Sequence, residues 1–399
     1  MSIIADYRAQ ESLTRSQIDS WRMAESHNID IFIRVGFPAR LNSTHEAGQI
    51  LDTMQEDRFE LFMQELDGIT EELHANLVAA LVDSVIFQLQ HFPKRRALMP
   101  LSTMISVLAL YRKIKGHAKH RRILEVGAGC GYLPFLLARD ASIEQYVSVE
   151  ACEAFYVLQH LVNKFCYGPH SVDLCESADL AKRYFSTREG IDQRIYVDRA
   201  DVIGMPRAVH LSWWHLDTLY DKEGYFDIVT SNANLNELSR PALRDYLTIF
   251  SRSLAEDGIF LVQCTGYTAS GTIEELFDII YKFQFAPIFC ALAGHVSFPS
   301  PRSRFSRPTA YMMERFLALN NIVMVKQGHP LFERCYQREN FRSGFCAGDF
   351  AERMFWPGPG RQLSRGELEQ EVRHQLKIRL GRTAVPWDGA GHDLLLAAK

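Results

Sequence analysis

Charge of one sign is what this sequence lacks first: 44 Lys and Arg stand against 48 Asp and Glu in 399 residues, a formal net charge of -4. That balance supplies no long-range basic field, so nucleic acid and anionic membrane surfaces are not expected partners, and any affinity for them has to be local. None of the eight cysteines stands in a C-x-x-C pair and most interrupt apolar runs, which argues against zinc or dithiol sites and predicts reduced thiols in the core. The start, MSIIADYRAQESLTRSQ, has no basic segment followed by an apolar stretch, and no apolar run reaches the expected membrane-spanning length, so a cytoplasmic chain is expected. Internal repeats and low-complexity tracts are absent as well.

What is present is 47% hydrophobic residues over a long chain, enough for a catalytic domain with substantial additions. Residues 1–118 read as a helical region, with apolar residues at helical spacing in Phe59, Phe62 and Leu66 and again in Leu77, Leu81, Val85 and Leu89. Such a region serves as a cap over substrate or as a dimerisation layer, so a homo-oligomer is open. Another helix is predicted over 102–114. From 119 to 330 short apolar runs alternate with helical segments, the signature of a parallel sheet wrapped by helices. Strands are predicted at 123–126, 146–150, 209–213, 226–231 and 258–264, and helices at 132–139, 153–165, 240–254 and 272–283. Two later strand-like runs, 287–292 and 322–326, predict a hairpin interrupted by an insertion near 293–315. Residues 331–399 form a C-terminal extension with an amphipathic helix at 367–380.

The segment Ile123-Leu124-Glu125-Val126-Gly127-Ala128-Gly129-Cys130-Gly131-Tyr132 carries a buried strand into a glycine-rich turn and on into a helix. Without Cβ atoms at Gly127, Gly129 and Gly131, the backbone can lie against a ligand. A dinucleotide fingerprint needs its third glycine at position 132, which is Tyr132, and Glu125 two residues before Gly127 would repel a pyrophosphate. A carboxylate there suits an ammonium group, directly or through water. Glu150, at the end of the second predicted strand, is placed to accept the ribose hydroxyls of an adenosine; nicotinamide enzymes use the same acid, so this position does not discriminate alone.

At these residues, and over roughly 122–327, the sequence resembles the class I S-adenosylmethionine (SAM)-dependent methyltransferases. Tyr225-Phe226-Asp227-Ile228-Val229 is similar to the family's fourth strand, and Ser253-Leu254-Ala255-Glu256-Asp257-Gly258 to the turn before its fifth. The resemblance implies an α/β, Rossmann-like seven-stranded sheet, mostly parallel with an antiparallel last strand, and SAM as cofactor at Glu125, Gly127, Gly129, Gly131, Glu150 and Asn232. No acid directly follows the third strand, where the family usually contacts adenine. Trp213 and Trp214 stand there, and an indole face either packs on adenine or belongs to the core.

Ser231-Asn232-Ala233-Asn234-Leu235-Asn236-Glu237-Leu238-Ser239 follows the fourth strand at its carboxyl end, beside the expected methyl group. It has no aromatic N-P-P-Y type loop, the device that clamps a flipped base, so methylation of DNA amines is not expected. With Pro241 to Leu247 it resembles the loop of the bacterial sugar O-methyltransferase family, which implies a sugar-like small-molecule acceptor. A sugar hydroxyl is a poor nucleophile and calls for a base, for which Glu237, His215 and His295 are the candidates, with Asn234 and Asn236 orienting the acceptor. Arg302, Arg304 and Arg307 in the insertion suit a phosphate or nucleotide on the sugar, or form a solvated basic loop. No metal ligands can be assigned, and use of a divalent metal stays open. The other readings are methylation of another small hydroxylated metabolite and a SAM-binding regulator without turnover.

Overall fold

The computed structural model describes residues 3–17, 38–53, 58–176, 207–232, 234–235, 238, 240–263, 273–291, 321–341, 344–347 and 360–381. Among them five α-helices precede the first strand: α1 (Ile3–Gln17), α2 (Gly48–Thr53), α3 (Phe59–Leu66), α4 (Glu71–His91) and α5 (Leu101–Gly116). The start of α4 shows why a helix begins there. The Thr70 hydroxyl accepts the Leu73 N–H at 3.3 Å, and Glu71 and Glu72 place negative charge at the positive end of the helix. By length and composition α4 could cross a bilayer, contrary to the sequence expectation, but 56% of its apolar stretch is buried inside the fold.

Strands and helices then alternate through β1 (Arg122–Val126), α6 (Leu133–Leu137), β2 (Gln145–Glu150), α7 (Glu153–Tyr167), β3 (Ser171–Asp173), β4 (Ala208–Ser212), α8 (Asp217–Tyr220) and β5 (Phe226–Asn232). After them come α9 (Arg240–Ser253), β6 (Leu254–Gln263), α10 (Ile273–Lys282), β7 (Phe285–Ala291), β8 (Asn321–Lys326), α11 (Phe332–Cys335), β9 (Phe345–Cys346) and α12 (Arg365–Leu380). The nine strands lie in the order β3-β4-β2-β1-β5-β6-β8-β7-β9. From β3 to β6 every pairing is parallel, and β8 runs antiparallel between β6 and β7.

This is the Rossmann-like sheet expected from the sequence, extended at its two edges by β3 and β9. Both are two or three residues long, too short for a periodic signal. The predicted hairpin is the β7–β8 pair, and β6 starts earlier than predicted because Leu254 already pairs with Phe226. Pro134 sits in the first turn of α6, where its missing N–H costs nothing. The seven cysteines among the described residues form no disulfide, and all but Cys166 are buried.

A single apolar core runs from Ile3 to Leu376, joining the N-terminal helices to the sheet. Two polar braces reinforce that union. The Lys113 ammonium on α5, 2% exposed, donates to Glu65 of α3 at 2.5 Å and to Asn321 at the start of β8 at 2.6 Å. At the other end of the sheet, Glu153 opens α7 with a fully buried carboxylate that accepts from Arg8 of α1, from Arg40 and from the Leu41 N–H. The Tyr7 hydroxyl donates to Ala151 O at 2.7 Å and the Trp214 indole to Gln10 Oε1 at 3.0 Å. Helix α1 is thereby anchored across the carboxyl ends of β2 and β4.

Candidate functional site

The turn after β1 is built from three glycines in the left-handed region, Gly127 (φ 73°), Gly129 (φ 55°) and Gly131 (φ 69°). Side chains strain such a backbone, and at Gly127 the space is also filled and at Gly131 it is tight. A Cβ on Gly127 would lie 2.5 Å from Cγ of Asn234, and one on Gly131 would lie 3.2 Å from Cγ of Gln159. The turn is gripped from one side by the loop after β5 and from the other by α7. The Gly127 N–H donates to Val149 O at 3.0 Å, which locks the turn to the end of β2.

Glu150 ends β2 and is 8% exposed. Its Oε1 accepts the N–H groups of Ala151 and Cys152 at 2.9 and 3.0 Å, and its Oε2 accepts Gln159 Nε2 at 2.9 Å. Burial raises its pKa, and these donors, with the nearby Gly129 N–H, hold it back. A carboxylate accepts about four hydrogen bonds, and these four donors fill it. Gln159 also donates to Gly129 O at 2.7 Å, so both its N–H bonds are used and its buried Oε1 accepts nothing. The acceptor left open beside Glu150 and the glycine turn is therefore Gln159 Oε1, which fits a ribose hydroxyl. Gln159 was missed in the sequence. Its only signal there is an amide among the apolar residues of α7, facing a glycine.

Glu125 lies deeper. Directly paired residues share a face of a sheet, and Glu125 pairs with Ser148, which touches Asn163 of α7. It therefore sits in the layer beneath α7, 4% exposed, and accepts the Tyr146 hydroxyl at 2.5 Å. Burial pushes its pKa up to about 7, the Tyr146 hydrogen bond opposes that, and the Glu150 charge adds to it.

One row of residues crosses the carboxyl rim of the sheet on this face. Ser212 pairs with Glu150, Gly127 follows the pairs that Val126 makes with Val149 and Ser231, and Asn232 pairs with Gln263. Ser212, Glu150, Gly127, Asn232 and Gln263 thus stand side by side, with the bare glycine in the middle. On the β4 side Ser212 meets His215 Nδ1 at 2.9 Å, and His215 is fully buried. On the β5 and β6 side the oxygens Asn232 Oδ1 and Gln263 Oε1 are buried and have no hydrogen-bond partner.

The structure brings Gly127, Gly129, Gly131, Glu150, Asn232 and Asn234 to one rim, with Asn234 Nδ2 3.5 Å from Val126 O. It does not bring His215 there. β4 is three strands from β5, about 14 Å at ~4.8 Å per spacing, so His215 cannot be the base beside Asn232 and Asn234. Trp213 is 2% exposed and packs edge-on against Trp214 at 4.9 Å, which itself meets Tyr7. Glu237, Asn236, His295 and the arginines Arg302, Arg304 and Arg307 lie outside the described residues. Among the described residues no three His, Cys, Asp or Glu side chains converge as metal ligands.

No family model matches this sequence, and no curated protein matches it. Solved structures similar to it include a TehB-like SAM-dependent methyltransferase from Corynebacterium glutamicum, 10% identical over 54% of this chain and 88% of that one, with a TM-score of 0.32. Another is the SAM-bound magnesium protoporphyrin IX methyltransferase from Synechocystis, 10% identical over 55% and 76% of the two chains, TM-score 0.30. A third is the YcgJ protein from Bacillus subtilis, 10% identical over 72% and 93%, TM-score 0.30. Likeness at this level says nothing about what this chain acts on.

Proposed function

We propose that the chain is a SAM-dependent O-methyltransferase whose acceptor is a hydroxyl of a sugar-like small molecule. The observation that carries the reading is the clamped glycine turn beside the strand-end carboxylate Glu150 and the unpaired Gln159 Oε1, at the carboxyl rim of the sheet. An adenosine ribose meets those side chains, and the amino-acid half of the cofactor passes the end of β1 beside the Asn234 side chain that covers Gly127, toward Asn232. When bound, the cofactor supplies a methyl group on a cationic sulfur, open to in-line attack.

The protein's own part is alignment, exclusion of water and removal of one proton. Helix α1, held by Glu153 and Tyr7, shields the ribose end. Asn234, folded over Gly127, presents its amide beside the expected methyl position. Glu237, three residues further along, is assigned the role of base that takes the acceptor's proton as the new bond forms.

Isothermal titration with SAM and S-adenosylhomocysteine (SAH) tests the cofactor half, with saturable binding of both as the expected result. Absence of heat from both ligands with folded protein would overturn it. For the base, Glu237→Gln should keep SAH binding while lowering turnover by roughly 10²–10⁴. Equal turnover would remove Glu237 from the mechanism.

A further inference from the structure

We infer that Gln263, at the end of β6, binds the methyl acceptor as one half of an amide pair with Asn232, and that the pair selects a neutral acceptor with neighbouring hydroxyls. The inference rests on the proposed function and concerns the half of the site that the cofactor does not fill.

Position comes first. Along the rim, Glu150 and Gln263 lie on opposite sides of the glycine gap, three strand spacings or about 14 Å apart. A cofactor whose ribose sits at Glu150 and whose chain crosses Gly127 directs its methyl group toward the β5 and β6 ends. The first side chains it meets there, in the same row and on the same face, are Asn232 and Gln263.

Burial comes second. Gln263 is 3% exposed, yet its Oε1 accepts no hydrogen bond, and neither does the buried Oδ1 of its neighbour Asn232. Buried side-chain amides in a folded core are nearly always satisfied, and leaving one unmade costs about 1–3 kcal/mol. Two such oxygens on adjacent strand ends are costly if their role is only structural. They are well suited to a ligand that brings its own donors.

Their chemistry sets the ligand class. Side-chain amides offer an acceptor oxygen and two N–H donors and carry no charge, so this edge suits hydroxyl groups, which both donate and accept, and supplies no counter-charge for a carboxylate or phosphate. Side chains directly opposite on paired strands stand about 5 Å apart, a span that two neighbouring ring hydroxyls can bridge. With one hydroxyl held by each amide, a ring hydroxyl is presented to the methyl group.

The test compares wild type, Gln263→Met and Gln263→Glu in two measurements. In thermal unfolding, Gln263→Met fills the same volume without an orphaned polar atom, so its Tm should equal or exceed that of wild type, with the same rise on adding SAH. In transfer of tritiated methyl from SAM to methyl glucoside, UDP-glucose and catechol, wild type should methylate methyl glucoside, neutral and with neighbouring hydroxyls, in preference to anionic UDP-glucose. Gln263→Met should lower kcat/KM at least tenfold, mainly through KM, and Gln263→Glu, which keeps an acceptor oxygen, should retain more.

A Tm for Gln263→Met more than about 4 °C below wild type would show that the amide holds the fold together and would overturn the inference. Normal SAH stabilisation with unimpaired transfer by Gln263→Met overturns it too, as does transfer to UDP-glucose alone or to none of the three; transfer to catechol alone, which also carries neighbouring hydroxyls, removes the sugar-like acceptor of the proposed function instead. Failure of SAH to stabilise wild type instead removes the proposed function, and this inference with it.

Discussion

The two ends of the rim are built on opposite terms. At the β2 and β4 end the ionisable groups are bonded within the protein: Glu150 to two backbone N–H groups and Gln159, Glu153 to Arg8 and Arg40, and Asp173 to His160, Tyr156 and the Cys175 N–H. At the β5 and β6 end, Thr230 Oγ1, Ser231 Oγ, Asn232 Oδ1 and Gln263 Oε1 are buried with no partner. The first end, saturated in its charged groups although Gln159 Oε1 there is unpaired, is a rigid socket, fit for a ligand that is the same in every turnover, and the unsaturated second end carries a standing cost that a matching ligand relieves.

The sharpest way to break that contrast is at the hinge between the ends. Gly127→Ala forces a Cβ to within 2.5 Å of Asn234 in a left-handed backbone, and should cost roughly 2–4 kcal/mol in urea unfolding and abolish SAH binding. Near-normal stability and binding would mean that the turn and the Asn234 loop are not packed as described.

Glu125 gives the next largest effect, and its sign is fixed. Its folded pKa of about 7 lies above the ordinary 4.5, so the protonated form favours folding; that stability is complete below about pH 4.5 and lost as pH rises through 7. The loss should reach roughly 3 kcal/mol by pH 8. Other carboxylates, such as Asp173 with its lowered pKa, act in the opposite sense, so the readout is the difference between wild type and Glu125→Gln across pH 4–8. A constant difference would place Glu125 in a more polar setting than the layer beneath α7.

On the saturated end, Glu153→Gln weakens both arginine pairs. Arg8 and Arg40 are 45% and 38% exposed, so solvent screens part of the loss, and a cost of about 1–2 kcal/mol is expected, with α1 more open to proteolysis. On the unsaturated end the smallest effect is expected: Thr230→Val removes a hydroxyl that bonds to nothing and should leave stability unchanged or raise it by about 1 kcal/mol. If Thr230→Val costs as much as Glu153→Gln, the two ends do not differ as described.

The local elements were legible in the residues. Short apolar runs marked β1, β2, β5 and the β7–β8 pair, and the placement of Gly127, Gly129, Gly131 and Glu150 follows from a strand, a turn and a strand end that lie within thirty residues of one another. Such features depend on near neighbours along the chain, and side-chain periodicity records them directly. What the chain order hides is which strand ends stand together. His215 follows its strand in sequence much as Asn234 follows its own, and only the order β4-β2-β1-β5 separates them by three strands. Gln159, Asn232 and Gln263 reach one rim from a helix and two strands because a parallel sheet gathers its carboxyl ends at one edge. The pairing of Glu153 with Arg8 and Arg40 joins residues more than a hundred positions apart. Packing alone decides those contacts.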